Sequence, residues 1–247
     1  DQRWSTIWAN RSQEPGAQRR AVTTLVLASS PRSTPGTAWA YANASYVLAG
    51  HMLERMAGQS WETLIRNELF VPLGVSSGGF GAPASVGAPV PDQPWGHTAR
   101  GKAMTAVPPG PEADNPAALG PAGTVHVGLE DLGRYAAAHL ASARGATAWL
   151  TEASGARIRL ADAPITLPGF PSGSRDAMGW LQYTDVRAGG RPVLVHDGSN
   201  QSFYAYLWLV PEKNAAIVVT TNAGGASAGA ALDSAVTLFA TRLEAVR

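Results

Sequence analysis

Residues 191–221 read RPVLVHDGSNQSFYAYLWLVPEKNAAIVVTT, and this stretch decides the fold. Arg191 to His196, Phe203 to Val210 and Ala215 to Thr221 are short runs rich in β-branched and aromatic residues, separated by turn formers. The Pro211-Glu212-Lys213-Asn214 connection predicts that the last two form an antiparallel hairpin. The same pattern makes 191–221 a three-strand antiparallel meander. Without further strands upstream to complete it, the meander is expected to leave an open edge and an uncovered apolar face.

Outward from the meander the pattern turns helical. Residues 228–245 predict an amphipathic closing helix, and 129–141 another, with Asp131 in its first turn and Leu132, Tyr135 and Leu140 facing inward. Further upstream, 17–29 reads as a helix with Val22, Leu25 and Val26 on one face. A second runs from about Ala44 to Ala57, with Tyr46, Gly50, Leu53 and Ala57 sharing a face and Gly58 as the stop. Ser60 caps a third through Leu69, which is expected to end before Pro72. Between Pro83 and Pro121 the chain carries nine of its 18 prolines, the mark of a long irregular loop, whose Asp92, Trp95, His97 and Asn115 favour an ordered lobe over a linker. Helices first, then strands and a terminal helix give an α+β class. The organisation expected is a single domain over 1–247, mainly helical and loop-rich over 1–190 and strand-rich with a C-terminal helix over 191–247.

Composition narrows the function classes. The 247 residues are 45% apolar and 15% charged, enough for one large buried core. A net charge of +1, with only two lysines and scattered arginines, argues against nucleic acid or an anionic membrane as partner. No cysteine is present, which removes disulfides, thiolate metal sites and cysteine nucleophiles and is compatible with an exported, periplasmic or secreted protein. No apolar run approaches the ~20 residues of a membrane-spanning helix. Residue 1 is Asp, and no basic-then-apolar leader precedes the first helix, so a processed, trimmed or partial chain is expected.

Two short motifs can carry chemistry. Tyr41-Ala42-Asn43 lies on the connection just before a helix, where side chains can project into a cleft. A tyrosine works as a base only if nearby positive charge pulls its pKa down from ~10, while an asparagine two residues on can hold a substrate amide. The alternative is a tyrosine packed at a helix start. His196-Asp197-Gly198-Ser199-Asn200 follows a strand, and Gly198 leaves room for a substrate beside the strand edge, with the Ser199 N–H available to an oxyanion. Its alternative is a hairpin turn with an incidental histidine. Gly74-Val75-Ser76-Ser77-Gly78 matches a nucleophile elbow in letters only, since a helix rather than a strand precedes it. His51 and Glu54 share a helix face without a third ligand, so no metal site is expected. His97, His126 and His139 read as hydrogen-bonded or packed structural residues.

With their flanks, the two motifs resemble the serine β-lactamase-related, penicillin-binding-protein-like hydrolase family. That family includes class C β-lactamases, D-alanyl-D-alanine carboxypeptidases, D-aminopeptidases and esterases. The resembling segments run in family order: Pro35 to Gly50, Phe70-Val71-Pro72-Leu73-Gly74, Pro121-Ala122-Gly123, Leu129-Glu130-Asp131-Leu132, His196-Asp197-Gly198, Trp208 to Glu212 and Val218 to Asn222. The resemblance implies a β-lactamase/transpeptidase-like fold with an antiparallel sheet, a terminal helix and a helical, loop-rich lobe. It implies Tyr41 as general base, Asn43 as a substrate and network contact, and His196 as a carboxylate-recognising or Tyr-supporting group. Gly198, Ser199 and Asn200 become the substrate-binding residues, and no cofactor is implied. Where the family commonly has lysine this chain has His196, which tilts the expectation from β-lactamase towards peptidase or esterase.

The family nucleophile is the serine of Ser-x-x-Lys. Ala99 and Val210 stand three residues before Lys102 and Lys213, so the motif does not occur in this sequence. The expectation is a small-molecule or peptide hydrolase whose N-terminal part, supplying Ser and Lys and completing the sheet, lies upstream of Asp1. By itself the chain is expected to be unstable or inactive. A non-catalytic binding module or decayed homologue is the other reading.

Overall fold

A computed structural model describes residues 11, 13–101, 103–146 and 149–245; Asp1 and Lys102 lie outside them. Two compact units divide the chain, Asp1–Val127 and Gly128–Arg247. Helices in the first and one antiparallel sheet in the second make the fold α+β, as the sequence pattern predicts.

In the first unit the sequence forms α1 (Pro15–Leu27), α2 (Asn43–Ala57) and α3 (Trp61–Ile65). Proline at the first turn starts α1, and Gly58 ends α2 in the left-handed region at φ 66°. Ser60 Oγ accepts from the Thr63 N–H at 3.2 Å and caps α3. Contrary to expectation, Pro72 does not end this segment. A π turn over Arg66–Phe70 passes into α4 (Val71–Leu73), which places the proline in a fresh first turn where its missing N–H has no partner to lose.

The buried face of α2 also differs from the predicted one. Val47 and Gly50 are buried, whereas Tyr46 and Leu53 are 43% and 51% exposed. Two contacts turn the helix this way. A Cβ on Gly50 would stand 2.3 Å from Pro121 Cγ, so the helix lies directly on that proline. One turn on, Glu54 accepts from the fully buried Arg19 of α1 through Nε at 3.1 Å and Nη2 at 2.5 Å. Arg19 also donates to Glu62 Oε1 and Oε2 at 2.9 and 2.8 Å and to the Ala117 carbonyl at 3.1 Å. Burial opposes the charge on both Glu54 and Arg19, yet the pairing wins: Glu54 is held below the usual carboxylate range and Arg19 above its ordinary value. Val22, Val47, Ala118 and Leu119 fill the space beside this ion network.

The Pro-rich stretch holds more order than a long irregular loop. After β1 (Gly79–Phe80), the strands β2 (Gly96–Arg100) and β3 (Ala103–Val107) pair as a hairpin. A short 3-10 turn at Ala117–Leu119 then leads into α5 (Gly120–Gly123) and β4 (Val125–His126), which pairs with β1.

The second unit starts with α6 (Leu129–Ala143) and α7 (Glu152–Arg157). Its strands are β5 (Ala163–Pro164), β6 (Arg175–Ala177), β7 (Trp180–Asp185), β8 (Arg191–Ser199), β9 (Tyr204–Val210) and β10 (Ala215–Thr221), and α8 (Ala226–Ala245) closes the chain. Among the described residues these six strands form one antiparallel sheet in the order β10-β9-β8-β7-β6-β5. The sheet thus has six strands where three were expected, and begins before Arg191. The added strands have two to six residues, too few for a period-2 signal to stand out.

Both faces of this sheet are covered, which corrects the expected uncovered face. Val193, Val195, Trp208 and Val210 pack with Val236 and Ala240 of α8. Leu194, Leu207 and Leu209, which alternate with them, pack with Ala136 and Leu140 of α6. Opposite the α6 face, Asp185 at the end of β7 gathers the Arg187 guanidinium (Nη2 to Oδ2 2.8 Å) and the Trp208 indole N–H (3.0 Å). Arg187 reaches on to Asp233 of α8 at 2.7 Å, so a buried carboxylate ties strand to helix. Despite its burial, these bonds hold Asp185 below the usual carboxylate range.

On the α6 side, His139 is 4% exposed and sits among Tyr135, Trp149 and Trp180 at ring-centroid distances of 4.5, 5.4 and 5.0 Å. It packs as expected, but among the described residues neither ring nitrogen has a hydrogen-bond partner. Burial, aided by the nearby Arg159 charge, lowers its pKa to about 4.

Replacing Arg19 with Ala leaves two carboxylates half-buried without their counter-charge and should destabilise the chain by roughly 3–5 kcal/mol in urea denaturation. Arg19→Lys should recover only part of this, because one ammonium cannot fork to both carboxylates.

The neutral His139 sets a second expectation. Since its folded pKa lies below the unfolded ~6.5, its contribution is full above pH 6.5 and declines as pH falls towards about 4. About 2 kcal/mol of stability should be lost between pH 7 and pH 5, and His139→Leu should flatten this slope. An unchanged slope in the variant assigns the pH dependence to other groups.

Candidate active site

Each unit presents one of the two sequence motifs. In the first, the Pro35-Gly36 turn, with Gly36 at φ 79° and the Thr37 N–H and hydroxyl both donating to the Thr34 carbonyl, sends the chain towards α2. Ala42 is extended at φ −155° and Asn43 opens the helix. The 69% exposed Tyr41 hydroxyl donates to Asn43 Oδ1 at 2.8 Å. Tyr41 is therefore neither buried nor packed at the helix start; it is an exposed phenol held by an amide two residues away. That hydrogen bond makes Tyr41 and Asn43 one polar group.

In the second unit, β8 changes character halfway. Val193, Leu194 and Val195 are 0–3% exposed, while His196, Asp197, Gly198 and Ser199 are all exposed. Pairing with β7 stops at Val195–Leu181, but pairing with β9 continues to Ser199–Tyr204. Residues 196–199 thus overhang β7, and their backbone on that side is a strand edge beside which an extended substrate can lie. Among the described residues no atom lies within 4 Å of a Cβ built on Gly198, so they leave the space beside the edge open.

The loop that follows is tightly built. Ser199 Oγ donates to the Phe203 carbonyl at 2.8 Å and accepts from the Gln201 N–H at 3.0 Å. Asn200 Oδ1 accepts from the Ser202 and Phe203 N–H groups at 3.1 and 2.8 Å and from the Ser202 hydroxyl at 3.1 Å. Gly224 lies against this loop so closely that a Cβ would meet the Gln201 carbonyl oxygen at 1.8 Å. The Asn200 carbonyl oxygen is thus spent on the turn, as Asx turns require. Asp197 accepts from the Tyr204 hydroxyl at 2.6 Å, which pushes that phenol up to about 12.

His196 is held from β7. Its Nδ1 lies 2.6 Å from the Gly179 carbonyl oxygen, and its ring meets Trp180 edge-on at 6.2 Å. Neither Gly179 nor Trp180 was singled out by sequence. The signal was a Met-Gly pair between two short strands, a two-residue turn with glycine second.

The other candidates resolve as scaffold. Gly74 follows a helix and Gly79 opens a strand, so Gly74 to Gly78 is not a strand-to-helix elbow. His51 Nδ1 stands 3.5 Å from Glu54, inside the Arg19 network. His126 Nδ1 meets the Gly81 carbonyl at 2.7 Å. Among the described residues no helix is long and apolar enough to cross a membrane.

Known proteins identify the family and the fold. The Beta-lactamase family model matches residues 4–241. Penicillin-binding protein 4 of Amycolatopsis lactamdurans is 28% identical over 200 residues, covering 78% of this chain and 49% of that protein. The chain therefore spans about half the length of that relative. Among solved structures, D-amino acid amidase from Ochrobactrum anthropi SV3 superposes with a TM-score of 0.70 at 16% identity, over 93% of this chain and 66% of its own. The D-stereospecific amidohydrolase from Streptomyces sp. gives 0.65 at 19%, over 87% and 58%. The octameric penicillin-binding protein homologue from Pyrococcus abyssi gives 0.65 at 19%, over 85% and 45%. At these identities the solved structures speak for the fold, and the family match covers nearly the whole sequence. The chain belongs to the Beta-lactamase family.

Proposed function

We propose that this chain carries the Tyr41 and His196 parts of a serine hydrolase that works through an acyl-enzyme on an ester, D-peptide or β-lactam carbonyl. The overhang of β8 supports this best: an exposed His-Asp-Gly-Ser edge, open beside Gly198 and rooted in a strand buried on both faces. In this reading a serine hydroxyl attacks the carbonyl and gives its proton to the Tyr41 oxygen as that phenol passes its own proton to a neutral lysine amine. The Ser199 N–H faces the developing oxyanion, the amine or alcohol leaves with a proton, and water then releases the acyl group. Asn43 keeps the Tyr41 hydroxyl directed, and Gly198 provides clearance. Asn200 acts through the turn it closes.

No Ser-x-x-Lys occurs in the 247 residues, so the serine and lysine of this reading come from outside them. The same fact favours a second reading, a non-catalytic penicillin-binding-protein-like module or decayed homologue that keeps the cleft without the nucleophile. Export from a bacterial cell accompanies either reading.

Labelling the intact protein with a fluorophosphonate and a fluorescent penicillin separates the two. A serine adduct, with turnover of a p-nitrophenyl ester or a D-amino acid amide, is expected; no adduct with either label leaves the binding module. Tyr41→Phe should lower the acylation rate by roughly 10²–10⁴-fold. Because Tyr41 is exposed, its thermal midpoint should stay near the parent's. Equal acylation rates would remove Tyr41 from the mechanism.

A further inference from the structure

β6 and β7 are joined by two residues, Met178 and Gly179, between the paired Ala177 and Trp180. Both have positive φ, 49° and 95°, as a type I′ turn requires. Glycine takes this conformation freely, but methionine does so at a cost, and here it is also 54% exposed, so burial of its side chain does not compensate. Strain kept at an exposed turn points to a role for the turn itself.

What the turn delivers is the Gly179 carbonyl, 2.6 Å from His196 Nδ1. A carbonyl oxygen only accepts, so the proton of this bond is on Nδ1. The next residue, Trp180, meets the imidazole edge-on and is itself fixed, 5% exposed, by Tyr135 stacked at 6.5 Å and His139 at 5.0 Å. His196 stands one residue beyond the last β7–β8 pair, so its backbone is set by β9 alone and its ring by the turn.

We propose that the Met178-Gly179 turn is a positioning element that holds His196 as the Nδ1–H tautomer and reserves Nε2 for the reacting partner. This rests on the reading of His196 as a site residue and deepens it. A neutral ring so held presents a lone pair at Nε2 and takes a hydroxyl or amide N–H as its partner. Only a doubly protonated ring presents an N–H there to a carboxylate. The partner class of the ring held this way is therefore a hydrogen-bond donor.

Long-range 1H–15N correlation on the 15N-labelled intact protein at pH 8 reads the tautomer of His196 directly. A protonated Nδ1 and a bare Nε2 are expected; the Nε2–H form, or an averaged pair, overturns the proposal. Gly179→Ala puts a Cβ on a residue at φ 95° and should displace the carbonyl, averaging the two nitrogens while the β8 and β9 amide signals persist. An unchanged Nδ1–H form in that variant removes the turn's role. Should this variant unfold, Met178→Asn supplies the other arm. Asn-Gly is the preferred type I′ pair, so a raised thermal midpoint with Nδ1–H retained supports the proposal, and a shift to Nε2–H overturns it. In turnover, His196→Gln places an amide near the Nε2 position and His196→Asn near Nδ1. The Gln variant should react about tenfold or more faster than the Asn variant, and the reverse order overturns the assignment of Nε2. Absence of any acylation sinks the proposed reaction and leaves the tautomer to be decided by NMR.

Discussion

A strand buried on both faces has no freedom of register. Val193 and Val195 are packed under α8, and Leu194 between them is packed under α6, so a slip of one residue would exchange the two sets and misfit both helices. Everything on β8 downstream of Val195 is placed by that constraint. His196 falls at the first position past β7, on the face that carries Leu194 and Trp180, and Gly198 two residues later on the same face. The exposed edge is thus as well located as the core that precedes it, although none of its own side chains is buried.

The first unit reaches a similar result by charge. Arg19 is fully buried and forks to two carboxylates from different helices while touching a backbone carbonyl as well. Such a centre costs desolvation and returns it only in one geometry, so its value lies in specifying how α1, α2 and α3 meet more than in net stability. With Gly50 seated on Pro121, it sets the rotation of α2, and the start of that helix sets where Tyr41 and Asn43 emerge.

Sequence carried the parts of this arrangement that depend on local pattern. The β8–β10 strands, the closing helix, the Ser60 cap and the Gly58 stop follow from propensity and periodicity, and the structure has them within a few residues. What stayed hidden depends on distant partners. The rotation of α2 was misjudged because Tyr46 and Leu53 look like core, while the residues that decide it are a glycine, a glutamate and an arginine 35 positions away. The π turn that admits Pro72 has no composition signal. At the site, Tyr41 and His196 were legible as motifs. Asn200 was legible too, but its role depended on whether its oxygen was free, and the turn uses it. The Gly179 carbonyl was out of reach because a backbone atom leaves no letter in the sequence.

In the proposed reading, stability and chemistry are carried by different residues of this chain, and that separation has a consequence for how the site can vary. Tyr41, His196 and Gly198 are exposed, and each is fixed through a neighbour that is not: Asn43 at a helix start, Trp180 in the aromatic cluster, Val195 in the sheet. A substitution at an exposed position leaves the buried support intact, so the functional group can change while its position is kept. His196, where the family resemblance leads one to expect a lysine, is such a change in the proposed reading. The carbonyl of the Met178-Gly179 turn can hold an imidazole by one nitrogen and leave the other exposed. A lysine ammonium at the same position would offer donors only, to the turn and to the substrate alike. The turn and the histidine therefore make sense as a pair.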